Sequence, residues 1–171
     1  MAGTFERATN ADIIALIRAN PLAWVISSGE GGFAATPLPL LAETDESGAV
    51  VRLVGHMARS NPQVPVLEAV PRALILFQGP QGYISPSWMP DRTWAPTWNY
   101  AVVRIEAEVR FLPGEADDAL NRLVAFMEEG RPGAWSAAEM GPRYERIKSG
   151  IIAFHAEVHS VRPRFKLGQD E

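Results

Sequence analysis

Apolar positions recur along this chain with two periods, and the switches between them outline its elements. After Thr9 and Asn10, either able to cap free amides, Ile13, Ile14, Leu16 and Ile17 recur at helical spacing until Asn20-Pro21 stops the run. Residues 22–27 then form a short apolar run that reads as a buried strand. The stretch Ser28-Gly29-Glu30-Gly31-Gly32 after it reads as a hairpin turn; it lacks the Lys-Ser/Thr of a phosphate-binding loop. Residues 33–41 form the return strand, and Pro37 and Pro39 put it at an edge or a bulge because proline donates nothing to a ladder. A polar turn over 43–48 leads to a third strand at 49–57, and 73–77 is a fourth.

The fifth strand is the clearest. Val103, Ile105, Ala107, Val109 and Phe111 alternate with Arg104, Glu106, Glu108 and Arg110, the period of a strand with one wet face. Ile152, Phe154, Ala156 and Val158 alternate in the same way in a sixth. Between them Ala116, Ala119, Leu120, Leu123, Val124 and Met127 share one helical face. Ser136 and Glu139 have capping-box spacing ahead of a helix predicted to run to about Ser149, with Gly150 ending it. Six or more strands joined by short turns predict a mainly β, α+β fold. The expected architecture is an antiparallel barrel or curled sheet with helices packed outside, spanning 1–171 as one domain.

Composition narrows the class. Apolar residues make up 47% and charged residues 21% of the 171, enough for a sizeable core. Cysteine is absent, which excludes disulfides, thiol catalysis and iron–sulfur or cysteine zinc sites, and suits a reducing cytoplasm. The formal charge is −4, and the basic residues past position 140 (Arg143, Arg146, Lys148, Arg162, Arg164 and Lys166) form only a modest cluster. That balance, with no helix-turn-helix pattern, argues against direct DNA binding. The apolar runs are too short for a membrane span, and residues 1–6 lack a signal-peptide layout, so a soluble cytoplasmic protein is expected.

Familiar catalytic motifs are missing: there is no G-x-S-x-G, no H-E-x-x-H and no G-x-G-x-x-G opening a helix after a strand. His155, Glu157 and His159 share one strand face, but about 13 Å between the histidines is too far for one ion. The stretch Gly55-His56-Met57-Ala58-Arg59-Ser60-Asn61-Pro62-Gln63 is more informative. Asn61-Pro62 is a helix start, so free amides, Arg59 and the Ser60 hydroxyl converge on a possible anion site. An ordinary capped helix beside a surface arginine is the competing reading. Tyr83, Trp88, Trp94, Trp98 and Tyr100 then fall within eighteen residues stiffened by Pro86, Pro90 and Pro96. Such a loop suits the wall of a pocket for a planar ligand, or a cover over a barrel end or dimer seam.

These stretches resemble a known family. Residues 55–63, Phe77-Gln78-Gly79-Pro80-Gln81-Gly82-Tyr83-Ile84-Ser85-Pro86-Ser87-Trp88 and Ala95-Pro96-Thr97-Trp98-Asn99-Tyr100 are similar to the PaiB-like FMN-binding negative transcriptional regulators. Ala35-Thr36, Pro39 and Phe165-Lys166-Leu167-Gly168-Gln169 extend the similarity over nearly the whole chain. It departs from the family at Pro37, Val64 and Gly168. The resemblance implies a split β-barrel like that of flavin reductases and pyridoxamine-phosphate oxidases, a homodimer, and FMN near the subunit interface. It assigns flavin contacts to Thr36, His56, Ala58, Ser60, Asn61 and Gln63, with Trp98, Asn99 and Lys166 beside them; Arg59 joins from the anion-site reading. The functional expectation is a regulatory or ligand-sensing flavoprotein with an unidentified small-molecule effector. An FMN-dependent oxidoreductase of a small molecule and a cofactor-free interaction module are the alternatives.

Overall fold

Helix α1 (Asn10–Ala19) opens on a reciprocal cap: Asp12 N–H donates to Thr9 Oγ1 at 3.2 Å, and Thr9 N–H donates to the Asp12 carboxylate at 2.9 Å. The computed structural model describes residue 5 and residues 7–169; the rest of the amino-terminal stretch read for a signal layout lies outside them. Seven strands follow: β1 (Leu22–Gly29), β2 (Gly32–Pro39), β3 (Leu41–Thr44), β4 (Val50–Ala58), β5 (Arg72–Ile84), β6 (Thr97–Leu112) and β7 (Ile151–Lys166). They form one antiparallel sheet in the order β2-β1-β5-β6-β7-β4-β3. Its two edge strands are consecutive in sequence and β2 packs on β4, so the sheet curls into a split barrel.

Several sequence expectations hold in detail. Gly29 pairs with Gly32, leaving Glu30-Gly31 as a two-residue hairpin turn that Gly32 closes at φ +96°. Pro37 and Pro39 stand on β2, an edge strand, as prolines in a sheet must. Helices α2 (Gln63–Ala69), α3 (Ala116–Glu128) and α4 (Arg143–Ser149) complete the fold. α3 lies on β4 and β7, as expected of an outer helix. α1 and α2 go further in. Ile13, Leu16 and Ile17 from one and Val64 and Leu67 from the other join Val25, Ile75, Phe77, Val103, Ile105 and Phe154 in a single core.

Four expectations need correction. Leu41–Thr44 is a strand, not the start of a polar turn, because Glu43 pairs with Arg52 and binds both Arg52 and Arg122. The turn begins at Asp45, whose carboxylate accepts the Ser47 and Ala49 amides. β5 and β6 run on to Ile84 and back to Thr97; alternation is lost to sequence reading because the register shifts between Gln78 and Gln81. β7 likewise continues to Lys166 through Pro163. The Ser136–Glu139 capping box forms, but it opens a short 3-10 helix, Ala137–Met140. Gly141 at φ +54° and Pro142 separate that turn from α4.

Candidate functional site

The segment 58–63 leaves β4 and enters α2, and its backbone accounts for nearly every amide it has. Asn61 N–H donates to Ala58 O at 2.9 Å, and Val64 N–H donates to Asn61 O at 3.0 Å. Asn61 Oδ1 accepts the Gln63 N–H at 2.9 Å, the side-chain cap that Asn61-Pro62 predicts. Pro62 and Pro65 have no N–H to give. The amides of Asn61, Gln63 and Val64 are thus already bonded within the chain, so an anion at this corner would draw little from the helix start itself. What remains at this corner is the exposed Ser60 and the Arg59 guanidinium.

Arg59 and Asn61 are held by different parts of the barrel. Arg59 Nε donates to Ser149 O at 3.1 Å and Nη2 to Pro113 O at 3.4 Å, at the α3–α4 side. Among the described residues, these two bonds are all that the five guanidinium donors make. Asn61 Nδ2 instead donates to Thr36 Oγ1 on β2 at 3.2 Å. The structure thus brings Thr36, Asn61 and Gln63 together, with Ser60 and exposed Ala58 at the same turn.

Gln63 is placed otherwise than its expected role implies. Its side chain is buried, and Nε2 lies within hydrogen-bond distance of Val25 O (3.0 Å), Ser27 Oγ (2.9 Å) and Ala34 O (3.3 Å). Both amide hydrogens are spent on protein, so none is left for a cofactor. Ser27 escaped sequence reading. The only sign of it is a hydroxyl at an inward position of an otherwise apolar strand, where a buried polar group needs a partner.

His56 lies on the β4 face opposite Gly55 and Met57, beside Ala153 of β7. Burial pushes its pKa below the ordinary imidazole value, so it is neutral at pH 7. Trp98, Asn99 and Lys166 form a separate group near the loop end of the long β5–β6 hairpin. Trp98 Nε1 donates to Gln81 Oε1 at 2.6 Å, and its ring tilts against Tyr83 at 5.9 Å between centroids. Lys166 Nζ donates to the Thr97 hydroxyl. Tyr83, Trp88, Trp94 and Trp98 are all about half exposed or more along this arm. The flanks of the aromatic segment are paired strands, and only its tip is an irregular loop. Elsewhere, Glu157 takes a 2.7 Å bond from Arg52 Nε, and His159 lies 3.7 Å from Glu108.

Three buried side-chain polar atoms lack a hydrogen-bond partner among the described residues: His56 Nδ1, Gln63 Oε1 and Asn99 Oδ1. All three belong to the expected flavin set. Buried polar atoms are almost always paired, so such a concentration marks a place where a bound group or a small rearrangement completes the bonding. The residues fit FMN chemically. Hydroxyls, amides and an imidazole suit the ring edge and ribityl chain, an indole suits the ring face, and Arg59 and Lys166 suit the phosphate.

A family model described as "Putative FMN-binding domain" matches residues 1–160. The protease synthase and sporulation protein PAI 2 of Bacillus subtilis is 31% identical over 97% of this chain and 80% of that protein. Among solved structures, the FAD and heme binding protein of Mycobacterium smegmatis superposes with a TM-score of 0.71 at 16% identity, covering 95% of this chain and 73% of that one. The flavocytochrome Anf3 of Azotobacter vinelandii gives 0.69 at 14% identity, over 97% and 75%. Those two likenesses are of fold, and they agree with the split barrel built above. Together the family match and the similarity to PAI 2 show that this chain belongs to the FMN-binding domain family.

Proposed function

We propose that the chain binds FMN as a homodimer and works as a regulatory or ligand-sensing flavoprotein without reading DNA sequence itself. The carrying observation is the placement of two unpartnered buried polar atoms, His56 Nδ1 and Asn99 Oδ1, within the expected flavin set. Thr36, Ala58, Ser60 and Asn61 form one wall of the proposed site, with His56 behind the same strand end and Arg59 offering its guanidinium to the phosphate. Trp98, Asn99 and Lys166 form the other wall. In this proposal the partner subunit completes the site between the two walls. The exposed aromatic arm supports the same reading, since a monomer would leave Tyr83, Trp88, Trp94 and Trp98 in water.

Bound FMN supplies reversible one- and two-electron chemistry on its ring. The chain's own part is to hold the flavin, exclude water from it and present the neutral His56 imidazole nearby. PAI 2 carries a sporulation name, and this similarity supports the regulatory reading over a purely metabolic one. The test is light scattering together with the absorbance spectrum of the purified protein. A flavin spectrum in a species of twice 18.7 kDa is expected. Flavin bound by a species of 18.7 kDa would refute the shared site, and bleaching by NADH or NADPH would move the function to an oxidoreductase.

A further inference from the structure

Gln63 is the best-connected side chain near the site, yet it is the one least able to touch a ligand. It is 1% exposed, and Ser27 beneath it is 3% exposed; they are the two buried polar residues among the described ones. With two Nε2 hydrogens for three acceptors, Gln63 donates to β1 at Val25 O and Ser27 Oγ and, through a shared hydrogen at 3.3 Å, reaches β2 at Ala34 O. Through its backbone N–H it holds Asn61 Oδ1, and Asn61 in turn donates to Thr36 two positions along β2 from Ala34. The bonds form a closed circuit. It leaves β2 at Ala34, passes through Gln63 and Asn61, and returns to β2 at Thr36.

A circuit of this kind fixes geometry. Asn61 has one χ1 and one amide plane to set, and Gln63 N–H and Thr36 Oγ1 set both. We propose that Gln63 and Ser27 are positioning residues that lock the Asn61 amide and the Thr36 hydroxyl in place, and that Gln63 acts on flavin binding through Asn61 without contacting the flavin. The proposal rests on the FMN reading for its consequence, but the clamp itself is made wholly of bonds within the chain. Burying a glutamine at the end of a barrel costs desolvation that a leucine would avoid, and the circuit is what that cost secures.

The test combines a double-variant cycle with hydrogen exchange. FMN affinity is measured by flavin fluorescence for the wild type, Asn61→Ala, Gln63→Met and the double variant, each well below its melting temperature. Gln63→Met is expected to weaken FMN on the order of ten-fold, while the double variant binds within about two-fold of Asn61→Ala alone, as residues sharing one network do. Losses that multiply would mean an independent contact and overturn the proposal. In flavin-free protein, Gln63→Met should speed exchange of the residue-63 amide at least about ten-fold while leaving Ile105 in β6 unchanged. Unchanged exchange at residue 63 would overturn the clamp whether or not FMN binds, whereas faster exchange without any FMN binding would count against the cofactor reading alone. Ser27→Ala, which removes one acceptor and little volume, is read in the same way if Gln63→Met does not fold.

Discussion

Asn61 donates its side-chain amide to the Thr36 hydroxyl at 3.2 Å, joining positions 25 residues apart, while its own Oδ1 accepts the Gln63 amide at 2.9 Å. One side chain therefore ends the β4 turn, starts α2 and pins both to the edge strand β2. The proposed flavin wall is built on this connection. Its rigidity comes from the barrel because β2 is itself paired along β1 from Leu22–Pro39 to Gly29–Gly32.

Asn61→Ala should therefore act on both folding and binding. Loss of a helix cap costs about 1 kcal/mol, and the Thr36 hydroxyl loses its donor as well. Chemical denaturation should show the lower stability, and flavin titration a weaker FMN complex. A variant as stable as the wild type would show that the cap contributes nothing.

His56 gives the stability a pH dependence of known sign. Burial holds its folded-state pKa below 6.5, the ordinary value to which it returns on unfolding. Between those two values the unfolded chain binds more protons than the folded one. Stability therefore rises with pH through that window and is lost as the pH falls below about 6.5. His56→Gln cannot take up the proton and should flatten this limb. Denaturation midpoints between pH 7 and 5 decide the matter, and equal slopes for the two proteins would contradict it.

Gly55 is required by packing. A Cβ there would overlap Leu40 Cδ2 and lie 3.0 Å from Phe154 Cζ, in the middle of the core. Gly55→Ala should cost about 1–3 kcal/mol by overpacking. Leu40 is the flexible neighbour, so Leu40→Val in the same chain should recover part of the loss. No recovery in the melting temperature would place the strain on Phe154 instead.

Direct sequence-specific DNA binding should be absent. The chain is net −4, and two of its late basic groups are already engaged: Lys148 with Glu145 at 2.7 Å, and Arg164 with the Tyr100 hydroxyl at 2.8 Å. At about 150 mM salt, backbone contacts alone are weak. Genomic fragments should be retained no better than competitor DNA. Submicromolar, competitor-resistant binding to one fragment would make this chain a DNA reader in its own right.

Much of this architecture is legible in the sequence where local chemistry decides it. Thr9 and Asp12, the Gly29–Gly32 turn, and the alternation over Val103–Phe111 each announce themselves, because caps, tight turns and half-wet strands depend on near neighbours. The hairpin extension past Phe77 does not, since Gly79 and Pro80 break the period and the pairing that rescues it comes from residues 97–100. The site divides in the same way. Asn61 as a cap is visible from Asn61-Pro62 alone. That Arg59 turns to Ser149 and Pro113 while Asn61 turns to Thr36, and that Gln63 is spent on Ser27, depends on strands brought together only by the fold.

The most direct measurement is a fluorescence titration of FMN and of riboflavin with the purified, flavin-free protein. The account predicts saturable quenching of FMN at one flavin per chain. It also predicts weaker binding of riboflavin, which lacks the phosphate that Arg59 and Ser60 are proposed to hold. No quenching of FMN at micromolar protein would contradict the cofactor itself, and equal affinity for the two flavins would contradict the assignment of the phosphate to this corner.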